Sequence, residues 1–499
     1  MKRFLTKANG LFLSAIAIVL YLVFDASIDL GGDNAGYYIL GKALHEGLGY
    51  TNIHLPGMPP AQHFPPGYPL ILSLLMTVSM KLTWLKVANG LMFAAALFLM
   101  RPLFQRMTGS AAMAWVAVGL TLLNSHLLTS STILMSEIPF LLISVLALTF
   151  LTRFTTGKQA PWQSPAFWLV VVLSVAAFHV RTAGIALVAG IGWYLLLEKR
   201  WMATGLYALS FVGLSLPWFL RGQSLGGNSY LQQLVRVNPY RPDEGLLDMG
   251  GWLTRVTDNA WRYLHQEIPN GLFPQLEVAY TTEPPEGHVL IGVLLLALII
   301  WGVVKMPQWR SLLIGYLGAS FAIFLLWPDV WFGVRFMQPL IPFIGLVALV
   351  GLWDVVGRFK LKISPWWLAV VLLLQMPNVK DLQEASDTRL SPAFSNYFAL
   401  AKHAGESLPA DAIVLTSKPG LFYIHGMRSC LRIPSKSDPE AFLQKIDEMG
   451  ITHILVDQMG YSSVSRYLVP AIQQYPNRFK VLIQLPNPET YLIEYLPAE

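Results

Sequence analysis

The stretch that decides the fold is Gly31 to Pro69, which reads GGDNAGYYILGKALHEGLGYTNIHLPGMPPAQHFPPGYP. It follows an apolar segment, carries an acid at Asp33, and ends in a stiff run rich in proline and aromatic residues. After Asp33 the apolar residues recur at helical spacing, and Gly47 and Gly49 close the pattern. The pattern, carried by Tyr37, Leu40, Gly41 and Leu44, predicts a helix after Asp33 that lies at a membrane interface, where tyrosines are common.

The composition of the chain is that of a polytopic membrane protein. Hydrophobic residues make up 54% and charged residues 13% of the 499 residues, with a mean hydropathy of +0.50, whereas soluble chains average about 25% charged residues. The net charge of +6 is small for this length. We therefore interpret the basic residues as markers of which loops lie on the inner side of the membrane, and not as a nucleic-acid binding surface. Cys430 is the single cysteine, which excludes an internal disulfide and a CxxC metal site.

About eleven apolar segments are predicted to span the membrane. Lys2, Arg3 and Lys7 precede the first segment, which we interpret as a retained helix entering from the cytoplasm and not as a cleaved signal peptide. Basic clusters recur at one end of alternate segments, which predicts an inside N-terminus and an outside C-terminus. The segments are 11–24, 84–103, 111–128, 138–154, 167–180, 184–197, 207–220, 288–304, 312–326, 336–356 and 366–376.

Residues 1–380 are therefore predicted to form a membrane domain with two long outer loops, 25–83 and 221–287. Leu70–Met80 is too short to span, because about 20 residues are needed, so the first loop is expected to hold juxtamembrane helices. The tail, 381–499, alternates short β-type runs with helical patterns, which predicts a small α/β domain outside the membrane. The β-type runs are 412–416, 452–456, 480–485 and 491–495, and the helical patterns are 439–449 and 463–473.

Two carboxylates, Asp33 and Glu137, are placed by this topology at the outer ends of different helices. One of two such acids can act as general base on a hydroxyl while the other holds a metal or orients a group. Simpler interpretations remain open: Asp33 can be a helix N-cap, and Glu137 the acid that favours a first helical turn.

Two arginines, Arg181 and Arg335, also fall on the outer side next to apolar helices. A guanidinium there can bind phosphate through paired N–H donors, or can simply snorkel to the interface. His54 and His63 can serve a metal or a proton, although two histidines nine residues apart are a weak pattern.

In order, these pieces resemble the GT-C superfamily of membrane glycosyltransferases, and in particular the bacterial branch related to protein O-mannosyltransferases and lipid A aminoarabinose transferases. The resemblance covers about residues 1–380. Its motifs are Asp33-Asn34-Ala35-Gly36-Tyr37-Tyr38, Gly47-Leu48-Gly49-Tyr50, Phe64-Pro65-Pro66-Gly67-Tyr68-Pro69, Met135-Ser136-Glu137, Arg181-Thr182-Ala183-Gly184, and Arg335-Phe336 with Pro339 and Pro342.

The resemblance implies an inverting transferase that moves one sugar from a polyprenyl-phosphate donor to a hydroxyl on the outer face. Asp33 takes the position of the catalytic first-loop acid and Glu137 that of the second acid, while Arg335 and Arg181 are expected to bind the donor phosphate. The residues expected to bind substrate are Tyr37, Tyr38, His54, His63 and Tyr68.

Two departures from the family pattern bear on metal and phosphate binding. Asn34 stands where relatives often carry a second acid, which leaves Asp33 and Glu137 as the candidates for a divalent cation such as Mg²⁺ or Mn²⁺. His63-Phe64 stands where relatives carry lysine before the prolines.

The expected setting is a bacterial inner membrane with the active site on the outer side. The expected acceptor is a glycolipid, a glycan or a protein, and no nucleic acid is involved. Three other functions fit many apolar helices: a lipid or glycolipid transporter or flippase, a ligase that moves an oligosaccharide from a polyprenyl diphosphate, and a non-catalytic scaffold. The acids at one face, without an internal repeat, favour the transferase over a transporter.

Overall fold

The computed structural model describes residues 7–30, 33–227, 229–241, 244–282, 286–360, 363–386 and 390–497. Lys2, Arg3, Gly31 and Gly32, which belong to the segments discussed above, lie outside the described residues. The predicted fold class is confirmed: the chain is mainly helical and has one small sheet near its C-terminus.

Helices make up most of the described chain, and the strands all lie in its C-terminal part. The α-helices are α1 (Lys7–Leu22), α2 (Asp33–His45), α3 (Gly67–Met76), α4 (Leu82–Thr108), α5 (Ala111–Leu123), α6 (Ser125–Ser131), α7 (Glu137–Thr156), α8 (Pro165–Val180), α9 (Ile185–Leu197), α10 (Trp201–Ser224), α11 (Ser229–Leu234), α12 (Met249–Arg262), α13 (Ile268–Leu272), α14 (Val289–Lys305), α15 (Arg310–Leu326), α16 (Ile341–Gly357), α17 (Met376–Ser386), α18 (Pro392–Ser407), α19 (Pro419–Gly426), α20 (Pro439–Glu448) and α21 (Val469–Gln474). The strands are β1 (Ile413–Thr416), β2 (Ser429–Arg432), β3 (His453–Val456), β4 (Phe479–Leu485) and β5 (Thr490–Tyr495).

Helical structure coincides with each of the apolar segments predicted to span. Among the described residues, four helices are long and apolar enough to cross a membrane by themselves: α4, α7, α10 and the helix Gln338–Gly357, which contains α16. The pair α5 and α6 bends by 63° and forms a fifth candidate if it counts as one span. Shorter apolar helices make up most of the remaining segments, and the total of about eleven spans stays a prediction.

Two irregular segments have local physical causes. Asn124 breaks the α5–α6 pair because its side chain caps α6, accepting from the Leu127 N–H, while its amide donates to the Gly271 carbonyl at 2.8 Å. The last predicted span is an 11-residue 3₁₀-helix, Pro365–Gln375. Its rise of about 2 Å per residue gives it a length of about 22 Å, longer than an α-helix of the same residues.

The first loop contains two helices, α2 and α3, and their position at the membrane surface stays a prediction. α2 begins at Asp33, and the two glycines that end its pattern have the positive φ angles of left-handed backbone, 73° at Gly47 and 77° at Gly49. α3 has 10 residues, about 15 Å, and is too short to cross a bilayer, as its sequence predicts.

The chain packs into two compact units that are not continuous in sequence. The helical unit comprises Met1–Ala26, Gln62–Tyr68 and Lys81–Asp387, and the mixed unit comprises Ser27–Ala61, Pro69–Met80 and Thr388–Glu499. The sequence predicts one domain boundary, after residue 380. In the structure, the unit that contains the sheet also includes most of the first loop.

The sheet of the mixed unit has the strand order β2-β1-β3-β5-β4. β1 runs parallel to β2 and β3, and β5 runs antiparallel to β3 and β4. Four of the strands match the predicted β-type runs within one residue, and β2 was missed. A buried cluster that includes Phe442, Ile446 and Leu468 covers one face of the sheet.

Within the mixed unit, the first loop packs against the C-terminal part of the chain. α2 contacts α19, where Gly420 lies against Ala35. The backbone carbonyl of His54 accepts a hydrogen bond from the Cys430 N–H at 2.8 Å. The helix that carries Asp33 is therefore held by α19, and the loop after it by β2.

Candidate functional site

Glu137 is the centre of a buried ionic cluster in the helical unit. Its Oε1 atom lies 2.6 Å from Nη1 of Arg181 and 2.9 Å from Nε of Arg335. Nη1 of Arg181 also donates to the Ser136 hydroxyl at 3.2 Å. Three of the predicted site residues, far apart in sequence, therefore meet at one carboxylate.

The local structure explains why these three side chains converge. Glu137 is the first residue of α7, where the helix dipole favours a negative charge. Arg181 is in extended backbone between α8 and the 3₁₀ turn Thr182–Gly184, and Arg335 is in the 3₁₀ turn Val334–Phe336 before α16. Each charged group thus stands at a break next to an apolar helix, where backbone and side chain can turn toward the same point.

The members of this cluster differ in exposure. Two guanidinium groups meet at one carboxylate, and the side chain of Glu137 is fully buried while that of Arg335 is 41% exposed. Oε2 of Glu137 is also buried and accepts no hydrogen bond from the described residues. Arg335 is therefore the most exposed side chain of the three.

The turn that carries Arg335 is held from its other side by Glu267. Oε1 of Glu267 accepts from Nε of Arg262 at 2.8 Å and from the Gly333 N–H at 3.4 Å. Arg262 also donates to the Asp329 carbonyl at 3.0 Å. Burial raises the pKa of the Glu267 carboxyl, although the charge of Arg262 opposes that shift.

Glu267 was not predicted from the sequence. It lies in the 221–287 loop, which was predicted only as an outer loop. The signal that could have found it is an acid in an aromatic-rich segment five residues after an arginine, at a spacing close to that of a helical ion pair.

An apolar cavity of about 420 Å³ lies beside Thr182, the neighbour of Arg181. Aromatic side chains form much of its wall, and Arg221 provides a cation. The ring of His63, at the edge of the Pro-rich run, stacks on Tyr230 with ring centres 6.2 Å apart. The lining residues are Gln62, Phe64, Pro65, Phe178, Thr182, Phe211, Val212, Ser215, Leu216, Trp218, Phe219, Arg221, Gly222, Gly227 and Tyr230.

Asp33 belongs to the mixed unit and is the first residue of α2. The neighbouring Asn34 is buried, and its amide donates to the Asp29 carbonyl at 2.6 Å. This bond ties the start of α2 to the backbone of Asp29. Asp33 stands in the first turn of α2, and both its interpretation as an N-cap and its catalytic role stay predictions.

Tyr37 and Tyr38 follow one turn later and are buried, with 4% and 5% of their surfaces exposed. Burial and the charge of Glu46 raise the pKa of Tyr38. The structure thus places these two predicted substrate-binding residues in the packing of α2.

His54, in the same unit, is set in an apolar surrounding. Its ring lies edge-on to Tyr423 with centres 6.2 Å apart, and its buried Nδ1 atom has no hydrogen-bond partner among the described residues. Burial lowers the pKa of His54 to about 4, so the ring is neutral at physiological pH. Tyr68, in the helical unit, is fully buried.

A divalent cation does not fit the surroundings of Glu137. Its Oε1 atom is already shared by two guanidinium groups, whose positive charges repel a second cation at that carboxylate. The described residues hold no group of three or more His, Cys, Asp and Glu side chains able to bind a metal. We therefore derive no step through a metal at Glu137.

No protein-family model matches the sequence, and no curated protein matches it. Several solved structures, however, are similar to this chain in fold. ArnT from Cupriavidus metallidurans, bound to undecaprenyl phosphate, aligns with a TM-score of 0.60 and 12% identity over 98% of both chains. The Archaeoglobus fulgidus oligosaccharyltransferase, tethered with an acceptor peptide, aligns with a TM-score of 0.60 and 12% identity over 100% of this chain and 75% of its own.

A second structure of that oligosaccharyltransferase, in complex with Zn and sulfate, aligns with the same TM-score and identity over 96% of this chain and 72% of its own. Both neighbours, a lipid A aminoarabinose transferase and an oligosaccharyltransferase, are GT-C proteins of the membrane. At this identity the likeness concerns the fold, and it agrees with the apolar helices of a multi-pass membrane protein. The chain therefore has the GT-C fold that its sequence motifs predict.

Proposed function

We propose that the protein is an inverting membrane glycosyltransferase that moves one sugar from a polyprenyl-phosphate donor to an acceptor hydroxyl. The observation that carries this proposal is the cluster of Glu137, Arg181 and Arg335, which brings two guanidinium groups together at one carboxylate beside an apolar cavity. A lipid phosphate needs both features, an anion site and an apolar place for its chain.

The fold supports the same chemistry. One neighbour, ArnT, was solved with undecaprenyl phosphate, and the other was solved with an acceptor peptide. We propose a polyprenyl monophosphate as the carrier, and a glycolipid, glycan or protein as the acceptor.

In the proposed reaction, Asp33 takes the proton of the acceptor hydroxyl as that oxygen bonds to the anomeric carbon of the sugar. The bond between this carbon and the phosphate oxygen breaks, its electron pair leaves with the phosphate, and the configuration inverts through an oxocarbenium-like transition state. Arg335, half-exposed at the cluster, binds the phosphate as its charge grows, and Arg181 supports it. Glu137 orients both arginines.

A ligase that transfers an oligosaccharide from a polyprenyl diphosphate is the second candidate, since one fold neighbour is an oligosaccharyltransferase. The two functions differ in the leaving group. Monophosphate release supports our proposal, whereas diphosphate release supports the ligase.

The test is transfer from a panel of polyprenyl-phosphate sugars in proteoliposomes, comparing wild type with Asp33→Asn. Asp258→Asn is the matched control, because Asp258 is an exposed acid of α12 to which no catalytic role is assigned. We expect wild type and the control to release free polyprenyl phosphate, and Asp33→Asn to release at least about 100-fold less, in the range of lost general-base catalysis.

Equal turnover by Asp33→Asn would remove Asp33 as the base. Turnover by none of the three proteins with any donor, combined with lipid flipping in the same vesicles, would replace the transferase with a transporter. The topology we propose, with an inside N-terminus and the site and C-terminal domain outside, is checked by protease protection of the same vesicles.

A further inference from the structure

α12 is amphipathic, but it buries polar residues and exposes large apolar ones. Its buried residues are polar: Arg255 is 4% exposed and Asn259 is fully buried. Its exposed residues include large apolar ones: Met249 is 85% exposed and Leu253 is 68% exposed. A helix at the surface of a water-soluble domain shows the opposite arrangement.

The buried polar side chains fasten α12 to backbone carbonyl groups. Arg255 donates to the Leu234 and Arg236 carbonyls at 2.7 Å and 2.6 Å. Asn259 donates to three carbonyls at the end of α15, those of Phe324, Leu325 and Trp327, at 3.3 Å, 3.0 Å and 2.8 Å.

The last carbonyl groups of a helix have no partner within it, and Asn259 supplies a donor to this end of α15, where the Phe324 carbonyl also accepts from the Trp327 N–H. α12 therefore lies at the carboxyl end of α15, an apolar helix of 17 residues. On the topology predicted from the sequence, this is where α15 leaves the membrane.

The spacing of residues on α12 divides its surface into three faces. At about 100° per residue, Met249, Leu253 and Ala260 fall within one sector of about 40°. Arg255 and Asn259 lie roughly 100° to one side of that sector, and Asp258, which is exposed, lies nearly opposite it. The helix thus has one face toward the protein, one apolar face and one polar face.

We propose that α12 lies in the membrane interface, with Met249 and Leu253 in the lipid of the leaflet that surrounds the carboxyl end of α15. Three faces of this kind are what a helix needs when it meets protein, lipid and water at once. Leu326, next to the carbonyls that Asn259 binds, is itself 41% exposed, so the apolar surface continues from α15 to its end.

The proposed lipid contact of α12 is connected through the chain to the turn that carries Arg335. α12 continues through a π-helical segment, Tyr263–Glu267, into α13. At the junction, Arg262 binds the Asp329 carbonyl and Glu267 binds the Gly333 N–H. The lipid surface therefore steadies the backbone on either side of residues 330–332, just before Arg335.

The test places a nitroxide label at residue 253 or at residue 258 in the full chain, reconstituted in phosphatidylcholine and phosphatidylglycerol vesicles. Leu209→Cys, on the exposed lipid-facing side of α10, provides the membrane reference. Wild type gives the labelling background, because its single thiol, Cys430, is buried.

We expect the label at 253 to collide with oxygen more than with an aqueous nickel complex, as the label at 209 does, and the label at 258 to show the reverse. Preference for the nickel complex at both 253 and 258 overturns the proposal. So does a label at 253 that is shielded from both reagents, because a protein surface then covers α12.

The link to the Arg335 turn has its own measurement, amide hydrogen exchange of residues 329–337 in the same vesicles. Met249→Gln with Leu253→Gln is expected to speed this exchange several-fold, and Thr254→Gln, on an exposed polar position, to leave it unchanged. If the Met249→Gln, Leu253→Gln variant exchanges these amides at the same rate as Thr254→Gln, the turn does not depend on the lipid contact. Neither readout needs transferase activity, so this inference stands or fails separately from the proposed function.

Discussion

Gly420 in α19 lies so close to Ala35 in α2 that a Cβ atom added at residue 420 would stand 3.1 Å from the Cβ of Ala35. Ala35 is two residues after Asp33, in the same first turn. The residue proposed as the base is therefore positioned by a contact with the C-terminal part of the chain, and not by the first loop alone.

Gly420→Val is expected to push α2 away from α19. Overpacking of this kind costs about 1–3 kcal/mol, and it should lower both the thermal midpoint of the mixed unit and the transfer rate. Ala35→Gly in the same chain should recover part of each loss. A double-mutant cycle without coupling between the two positions would show that the contact does not matter.

Glu137→Gln is expected to destabilise the helical unit by about 3–5 kcal/mol, because it leaves two guanidinium groups beside a buried site without their counter-charge. The measurement is the thermal midpoint in detergent. Glu198→Gln, at an exposed residue at the end of α9, is the control and should change little. A Glu137→Gln protein as stable as the control would mean that the cluster is not ionised as described.

Gly333→Ala is expected to displace Arg335. Gly333 has φ 107° and ψ 160°, a backbone conformation open essentially to glycine only, so alanine costs roughly 1–3 kcal/mol there. Transfer should fall through weaker binding of the donor. Gly318→Ala, at a helical glycine of α15 with open space around it, should be neutral or stabilising. If both variants keep wild-type activity and stability, the turn is not set by Gly333.

The mixed unit is expected to lose stability as the pH falls from about 6.5 toward 4. His54 is neutral when buried, with a pKa of about 4, whereas in the unfolded chain it binds a proton near pH 6.5. The unfolded state therefore binds more protons in this window, and stability falls by up to about 3 kcal/mol on acidification.

The check on His54 is the thermal midpoint of the protein between pH 7 and pH 4, compared with that of His54→Phe. Phenylalanine keeps a ring against Tyr423 and cannot titrate, so the pH dependence of the variant should be weaker. A slope equal to that of wild type would assign the effect to other groups.

Helical periodicity was enough to predict α2, because its apolar residues follow one face and Gly47 and Gly49 end it. The strands of the tail were predictable for a similar reason, with short β-branched runs between turn residues. β2 was missed because Ser429–Arg432 has polar residues at both ends and lacks the β-branched residues of the other strands, so that its pairing with β1 is what identifies it as a strand.

Glu137, Arg181 and Arg335 could each be singled out from the sequence, but their contact with one another could not be predicted. Arg335 and Glu137 are 198 positions apart, and nothing in local spacing says that both arginines bind the same carboxylate oxygen. Glu267 was missed for the same reason: its partner Gly333 is 66 positions away and contributes only a backbone N–H. Contacts of this kind arise from the packing of helices, which a single sequence does not specify.

The discontinuous make-up of the mixed unit has a consequence for biogenesis. Its first segments end at Met80 and its last begins at Thr388, so about 300 residues must be synthesised between them. At about 5–20 residues per second, the ribosome takes roughly 15–60 s over that interval. During this time the helix of Asp33 exists without α19 and β2, so a nascent chain has its membrane helices well before it has an organised first loop, and chaperones or proteases meet that loop while it is still unprotected.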